Sequence, residues 1–257
     1  MTRALTRTNL HSSLLIRTLA DLSVLQTAEP AAAFGERLGL WIGFTDAIAL
    51  TSVHNSIAVE AAALPDQSGD DGPLDVVFAK MRSQLENTIT KSHAPNTGRT
   101  RAELTLPKLE GPLDDVRAYA AFRRYHQAHQ RDMETGVRSL RVKLRHGVAR
   151  ASPRLRQLVA LDATFDGILV EREGRLLATL PSLLEKRFNY LRKAYQQALT
   201  DTQRSNDNPD LWMKPGAWLA RFCAELQTVL LAELDFRLQP AVGLLEAFHH
   251  ETTLQAV

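Results

Sequence analysis

The sequence has few of the residues that staple, span or catalyse. It holds one cysteine, Cys223, in 257 residues. A lone thiol excludes an internal disulfide and a cysteine-based zinc site, and such usage points to the cytosol. Cys223 lies in an apolar periodic run, where a free thiol acts as a small hydrophobe. Aromatics make up only 6% of the chain, while Ala and Leu abound. That mix favours helices packed on helices over sheet. No apolar run approaches the roughly 18 residues needed to cross a bilayer. The opening "MTRALTRTNLHSSLLIRTLADLSVL" has basic residues but no apolar h-region and no small-residue cleavage site, and Arg17 and Asp21 interrupt it. It reads as an amphipathic helix and not a signal peptide, so any membrane attachment is expected to go through a partner. There is no GxxxxGK[ST] loop, no GxGxxG and no GxSxG elbow, so no sequence motif names a reaction.

What is present is a soluble composition, 44% hydrophobic and 23% charged, in a chain long enough to bury a good core. Apolar spacing predicts an all-α protein: an elongated multi-helix bundle of about seven to eight helices with little or no sheet. A first helix is expected over about 9–26, and a second opens after Pro30 with Phe34, Leu38, Trp41, Ile42, Ile48 and Ala49 inward. "TSVHNS" is a candidate break in it. Residues 65–73, "PDQSGDDGP", read as a linker. A helix of about eighteen residues follows, with Val76, Val77, Met81, Leu85 and Ile89 inward. Residues 92–112 carry three prolines and two glycines and read as loop, with Leu104, Leu106 and Leu109 able to tack it down or form one short strand. These features divide the chain into an N-terminal helical region, 1–110, and a C-terminal bundle, 113–257. In the second part a long helix runs from Leu113 to about His146, with Gly147 as its left-handed cap and Ser152-Pro153 opening the next. "EREGR", residues 171–175, suggests another break. A helix over about 179–204 and two closing helices, 216–238 and 240–252, complete the pattern.

The long helix carries the most distinctive signal. Arginine recurs at Arg117, Arg124, Arg131, Arg138 and Arg145, five times at an interval of seven. Seven residues make nearly two helical turns and return within about 20°, so the five form one drifting row, roughly 10 Å apart and about 42 Å long. Tyr119, Phe122, His126, His129, Met133, Val137, Leu140 and Leu144 fall on the opposite side. Residues 117–156 hold eleven Lys or Arg against Asp132 and Glu134, a net of +9 that leaves −7 for the rest of a chain whose total is +2. A solvated face is the plain reading of surface charge. Two features argue for more. Acidic i,i+4 partners are scarce along the helix, and Lys143, Arg150, Arg154 and Arg156 extend the charge. The candidate binding residues are therefore Arg117, Arg124, Arg131, Arg138, Arg141, Lys143, Arg145, Arg150 and Arg154.

Acidic helices, of this chain or of another protein, can pair with such a row as e and g charges do in coiled coils. Nucleic-acid phosphates are the alternative, and binding to them would be without sequence preference. Tyr119 and Tyr125 are too few for a base-stacking platform, and no helix-turn-helix, zinc-finger or RNP signature is visible. A more distant reading is a metal-dependent nuclease using Asp162 and Asp166, which stand one turn apart; their position beside the basic block favours ion pairing instead. His126 and His129 form an i,i+3 pair, but a metal site needs three or four ligands and no carboxylate adjoins them in the seam. They read as core or interface histidines with a hydrogen-bonded nitrogen. His249-His250-Glu251 does not match HExxH. Asp114-Asp115 suit the N-terminus of the basic helix. Trp212 and Trp218 flank "MKPGA" and mark either a contact surface or a loop packed on the core. No cofactor and no metal are expected, and no oligomeric state is signalled.

Three stretches carry a family resemblance: "MTRALTRTNLHSSLLIRTLADL", "FGERLGLWIGFTDAIALTSVHN", and the block from "YHQAHQRDME" through "RFNYLRKAY". Together they resemble a bacterial family called domain of unknown function 3348, over nearly the whole chain. The resemblance implies a cytoplasmic accessory component of the Zorya type of anti-phage defence, beside a membrane motor pair resembling the flagellar stator proteins. It carries no catalytic signature and transfers no functional residue. Joined to the basic row, it leads to the expectation of a non-enzymatic protein that docks on an acidic partner, a motor subunit or another defence component, and is recruited through it to the inner membrane.

Overall fold

The structure, a computed structural model, describes residues 13–22, 42–55, 72–92, 104–109, 117–201 and 208–255. Among these, seven α-helices and one 3-10 turn are present and no strand: α1 Leu14–Asp21, α2 Phe44–Asn55, α3 Leu74–Ser92, α4 Ala120–Ala151, α5 Pro153–Leu177, α6 Leu180–Asp201, the 3-10 turn Pro209–Leu211, and α7 Trp218–Gln255. The protein is all-α, as its composition indicates. The expected linker falls mainly, and the expected loop partly, outside the described residues; 104–109 form no strand. Phe34, Leu38, Trp41, Asp114 and Asp115 also lie outside them.

Local chemistry accounts for several helix boundaries. Ser152 Oγ accepts a hydrogen bond from Leu155 N at 3.1 Å, so Ser152 caps α5 and Pro153 takes the first position, where no N–H is needed. Asp46 does similar work at α2, accepting from Gly43 N at 2.9 Å. Gly216 adopts φ +84 in the turn before α7, a conformation that glycine reaches without a steric penalty.

Several expectations are corrected. Helix α2 runs through the supposed break to Asn55, and none of its residues is buried; Ile48 and Phe44 are exposed. Val76 in α3 is also exposed, whereas Leu85 and Ile89 are buried. Gly147 caps nothing. It lies inside α4, where an added Cβ would stand 2.4 Å from Leu74 Cδ2 of α3, so its role is a close helix approach. Neither "EREGR" nor Pro240 breaks a helix. Gly174 costs α5 only about 1 kcal/mol, and the Glu171–Arg175 pair at 2.9 Å supports the same turn. Pro240 removes one helical hydrogen bond, at a cost of about 3 kcal/mol or more. Leu234 and Leu238 before it, and Ala241, Leu244 and Leu245 after it, are all buried and keep α7 continuous.

Contacts group the chain into two compact units, each built from three segments. The first comprises 1–29, 85–133 and 177–236; the second comprises 30–84, 134–176 and 237–257. The first unit concentrates the scarce aromatics. Phe188 of α6 meets Tyr119, Phe122, Trp218 and Phe222 at centroid distances of 5.0 to 5.6 Å, and Trp212 stands 5.7 Å from Trp218. Such tilted and edge-to-face pairs fix ring positions as well as burying area. Trp212 and Trp218 are thus core residues. In the second unit α4 contributes Val137, Leu140, Leu144 and Val148 to the buried set, and α5 contributes Leu155.

Candidate docking face and the charge networks behind it

Helix α4 separates its chemistry by side. Tyr119, in the turn leading into it, and Phe122, His126, His129, Met133, Val137, Leu140 and Leu144 are all buried. On the other side, the first unit exposes Arg117, Arg124 and Arg131. The second exposes Arg138, Lys143 and Arg150, with Arg154 exposed on α5. Arg138 pairs with Glu134 at 2.7 Å one turn away, with both side chains more than half exposed. Pairs of that kind contribute only about 0–1 kcal/mol and exchange readily for another anion. Arg154 lies 3.7 Å from Glu251 of α7.

Arg141 and Arg145 do not face outward; both are held by carboxylates of α5. Asp162 Oδ1 accepts from Arg141 Nη2 at 2.8 Å, and Asp162 Oδ2 accepts from Arg145 Nε at 2.6 Å. Asp166 takes the second contact of each arginine, at 2.5 Å and 2.9 Å. Four side chains, 11–29% exposed, close a ring of alternating charge between α4 and α5. Burial alone would lower the Arg145 pKa; the hydrogen bonds and charges of Asp162 and Asp166 outweigh it and raise the value. The cause is geometric. A step of seven drifts about 20° on a helix, so Arg145 is turned about 20° past Arg138 within the second unit. On the side it reaches, α5 presents Asp162 and Asp166. Asp162 and Asp166 are ion-pair partners here, with both carboxylates occupied.

Other networks were not legible beforehand. Arg123 of α4 pairs with Glu185 of α6. Arg187 of α6 donates to both oxygens of Glu225 on α7, at 2.8 and 2.6 Å, and Arg221 adds a third contact at 3.0 Å. Burial would raise the Glu225 carboxyl, but the two guanidinium groups bring it below its ordinary value. Deepest is a polar cluster in the first unit. Glu233 of α7 and His126 are both fully buried, with His126 Nε2 3.1 Å from Glu233 Oε2. Gln130 Nε2 donates to Glu233 Oε1 at 3.1 Å and to the Leu177 carbonyl at 2.9 Å. His126 Nδ1 has no hydrogen-bond partner, which fits the tautomer with its proton on Nε2. The one advance signal was a carboxylate inside the apolar run "VLLAELDF". Burial pushes the Tyr119 hydroxyl well above its usual pKa, and that hydroxyl donates to the Pro181 carbonyl. Burial also pushes the Cys223 thiol up to about 12.

Of the remaining candidates, His249 Nε2 lies 3.0 Å from Asp75 Oδ2 of α3. Among the described residues, no group of three or more His, Cys, Asp or Glu is placed to hold a metal ion, and no helix is long and apolar enough to cross a membrane.

These features define an all-α protein whose helices are tied by buried ion-pair networks and whose candidate site is a cationic helix face. Over residues 1–250 the sequence matches the family described as Protein of unknown function (DUF3348), and the chain belongs to that family. No curated protein and no solved structure matches it.

Proposed function

We propose that this protein is a non-enzymatic accessory component that docks on an acidic protein partner through the exposed cations of α4 and the start of α5. The residues that carry the contact are, in the first unit, Arg117, Arg124 and Arg131 and, in the second, Arg138, Lys143, Arg150 and Arg154. Arg141 and Arg145 act instead as internal ties. One observation supports the reading above others: the apolar side of α4 is buried, while Arg124, Arg131 and Arg138 on the helix, and Arg117 in the turn before it, are exposed. Exposed cations in high dielectric steer and register a partner more than they add affinity, which suits a docking surface. The setting, a membrane-motor-based anti-phage defence system of the Zorya type with the protein recruited from the cytoplasm to the inner membrane, rests on the family resemblance alone. The test is a tagged pull-down from cells carrying the whole operon, with and without nuclease treatment. Docking predicts recovery of the motor subunit, insensitive to nuclease and lost in the triple variant Arg124→Glu, Arg131→Glu, Arg138→Glu. Recovery unchanged by that variant would refute the surface. Recovery of DNA in its place, weakening steeply with salt, would favour phosphate binding.

A further inference from the structure

Helix α5 is unevenly covered. Of its 25 residues only Leu155 and Leu177, near its two ends, are fully buried. Between them, within the second unit, Leu161, Phe165, Leu169, Arg172 and Leu176 follow one another at steps of four, four, three and four, which sets them on one face of the helix. Leu161, Phe165 and Leu169 are half-buried, and Leu176 is 53% exposed. Arg172 is the anomaly in this apolar row. Its side chain is half-buried and its Nη1 is fully enclosed, yet Nη1 has no hydrogen-bond partner, and the guanidinium makes no ion pair among the described residues. Glu171, next to it in sequence, is exposed and pairs with Arg175. On its other side α5 presents Asp162 and Asp166 to Arg141 and Arg145, so the same helix answers two cations and leaves a third without an acceptor.

A guanidinium keeps its charge in proteins, and an enclosed donor without an acceptor forfeits its hydration with nothing in return. An apolar side chain of similar size would serve the fold better at this position. Arg172 therefore points to a contact made outside the described fold. Resting on the docking reading above, we propose that this face of α5 anchors the protein partner: a helix of the partner covers Leu161, Phe165, Leu169 and Leu176 and sets one carboxylate against Arg172. The half-covered apolar row calls for an apolar surface, as when an amphipathic helix is laid along a groove. The guanidinium calls for a planar acceptor that takes two parallel N–H bonds. A nucleic-acid backbone offers the anion without the apolar cover. Exposed cations then steer the encounter, and Arg172 fixes the register.

Two measurements on the full-length protein test this. The first is thermal unfolding of Arg172→Met with no partner present. Removing an enclosed, unpaired charge should raise Tm by about 2–4 °C. A fall in Tm would show that Arg172 already serves the fold and would overturn the proposal. The second is fluorescence-anisotropy binding of a helical peptide with leucine at i, i+4 and i+11 and glutamate at i+7, compared with the same peptide carrying glutamine at i+7. The parent should prefer the glutamate peptide by about tenfold, as a charge-assisted pair in partly buried surroundings provides. The preference should vanish in Arg172→Met. Equal binding of the two peptides by the parent, or a preference that survives in the variant, would overturn the carboxylate anchor. Failure of both peptides to bind would overturn the docking face. Binding of oligo-dT that drops in Arg172→Met would assign the cation to phosphate and refute the carboxylate. The docking reading fails separately, if the motor subunit is still recovered by the triple variant Arg124→Glu, Arg131→Glu, Arg138→Glu.

Discussion

Replacing Asp162 by Ala tests the central distinction between arginines that hold the fold and arginines that face outward. Asp162 supplies two of the four carboxylate contacts in the ring with Arg141 and Arg145, and its removal changes the ring's charge from neutral to +1. Breaking a fully buried pair costs about 3–5 kcal/mol, and breaking an exposed one about 0–1. The ring is 11–29% exposed and keeps Asp166 as a partial counter-charge, so the expected loss is about 2–3 kcal/mol. For a chain of this size that corresponds to a drop of about 5–10 °C in Tm. Urea titration followed by far-UV circular dichroism reads the same quantity. The control is Glu134→Ala, which removes the exposed pair with Arg138 and should change stability by no more than about 0.5 kcal/mol. Raising the salt concentration should shrink the effect of the control substitution and leave most of the Asp162 effect. If Asp162→Ala costs no more than Glu134→Ala, the ring is not a tie between α4 and α5. Arg141 and Arg145 then return to the candidate docking face.

Three further outcomes are expected. Gly147→Ala gains about 1 kcal/mol of helix propensity but must displace the Leu74 side chain, so stability should stay within about 1 kcal/mol of the parent; in a Leu74→Ala background the same change should stabilise by about 1 kcal/mol. Equal effects in both backgrounds would exclude the close approach. The lowered pKa of Glu225 means that its contribution is fully present above the ordinary carboxylate range and is lost as pH falls through the lowered folded value. Glu225→Gln should therefore flatten the acid limb of the stability curve, and parallel curves for parent and variant would refute the pairing. Cys223 is buried with its thiol raised to about 12, so iodoacetamide at mildly alkaline pH should label it only as urea unfolds the chain. Rapid labelling of the native protein would contradict that burial.

The sequence was most informative where one element carried its own pattern. The apolar row of α4 repeats at helical spacing over more than twenty residues, and every member named from spacing is buried. Ser152-Pro153 marked a real boundary because capping is local chemistry. Interruptions misled where tertiary burial overrides a local cost. Pro240 is flanked by buried leucines, and Gly174 sits on an exposed side where it disturbs nothing nearby. The role of Gly147 depends on Leu74, more than seventy residues away, and no local reading can supply that neighbour. Asp162 and Asp166 stood out as ion-pair candidates, but their partners were set by the turn of α4 relative to α5. The buried cluster of Glu233, His126 and Gln130 spans 107 residues of sequence between its histidine and its carboxylate, which hides it from any periodic reading.

The closed arrangement of Arg141, Arg145, Asp162 and Asp166 also alters what an approaching molecule senses. Two positive and two negative groups alternating around a ring form a quadrupole, whose potential decays with distance much faster than that of a single charge. Formal charge summed along the segment therefore overstates its long-range pull. A polyanion at a distance would be drawn mainly by the outlying guanidinium groups, with those in the ring nearly silent.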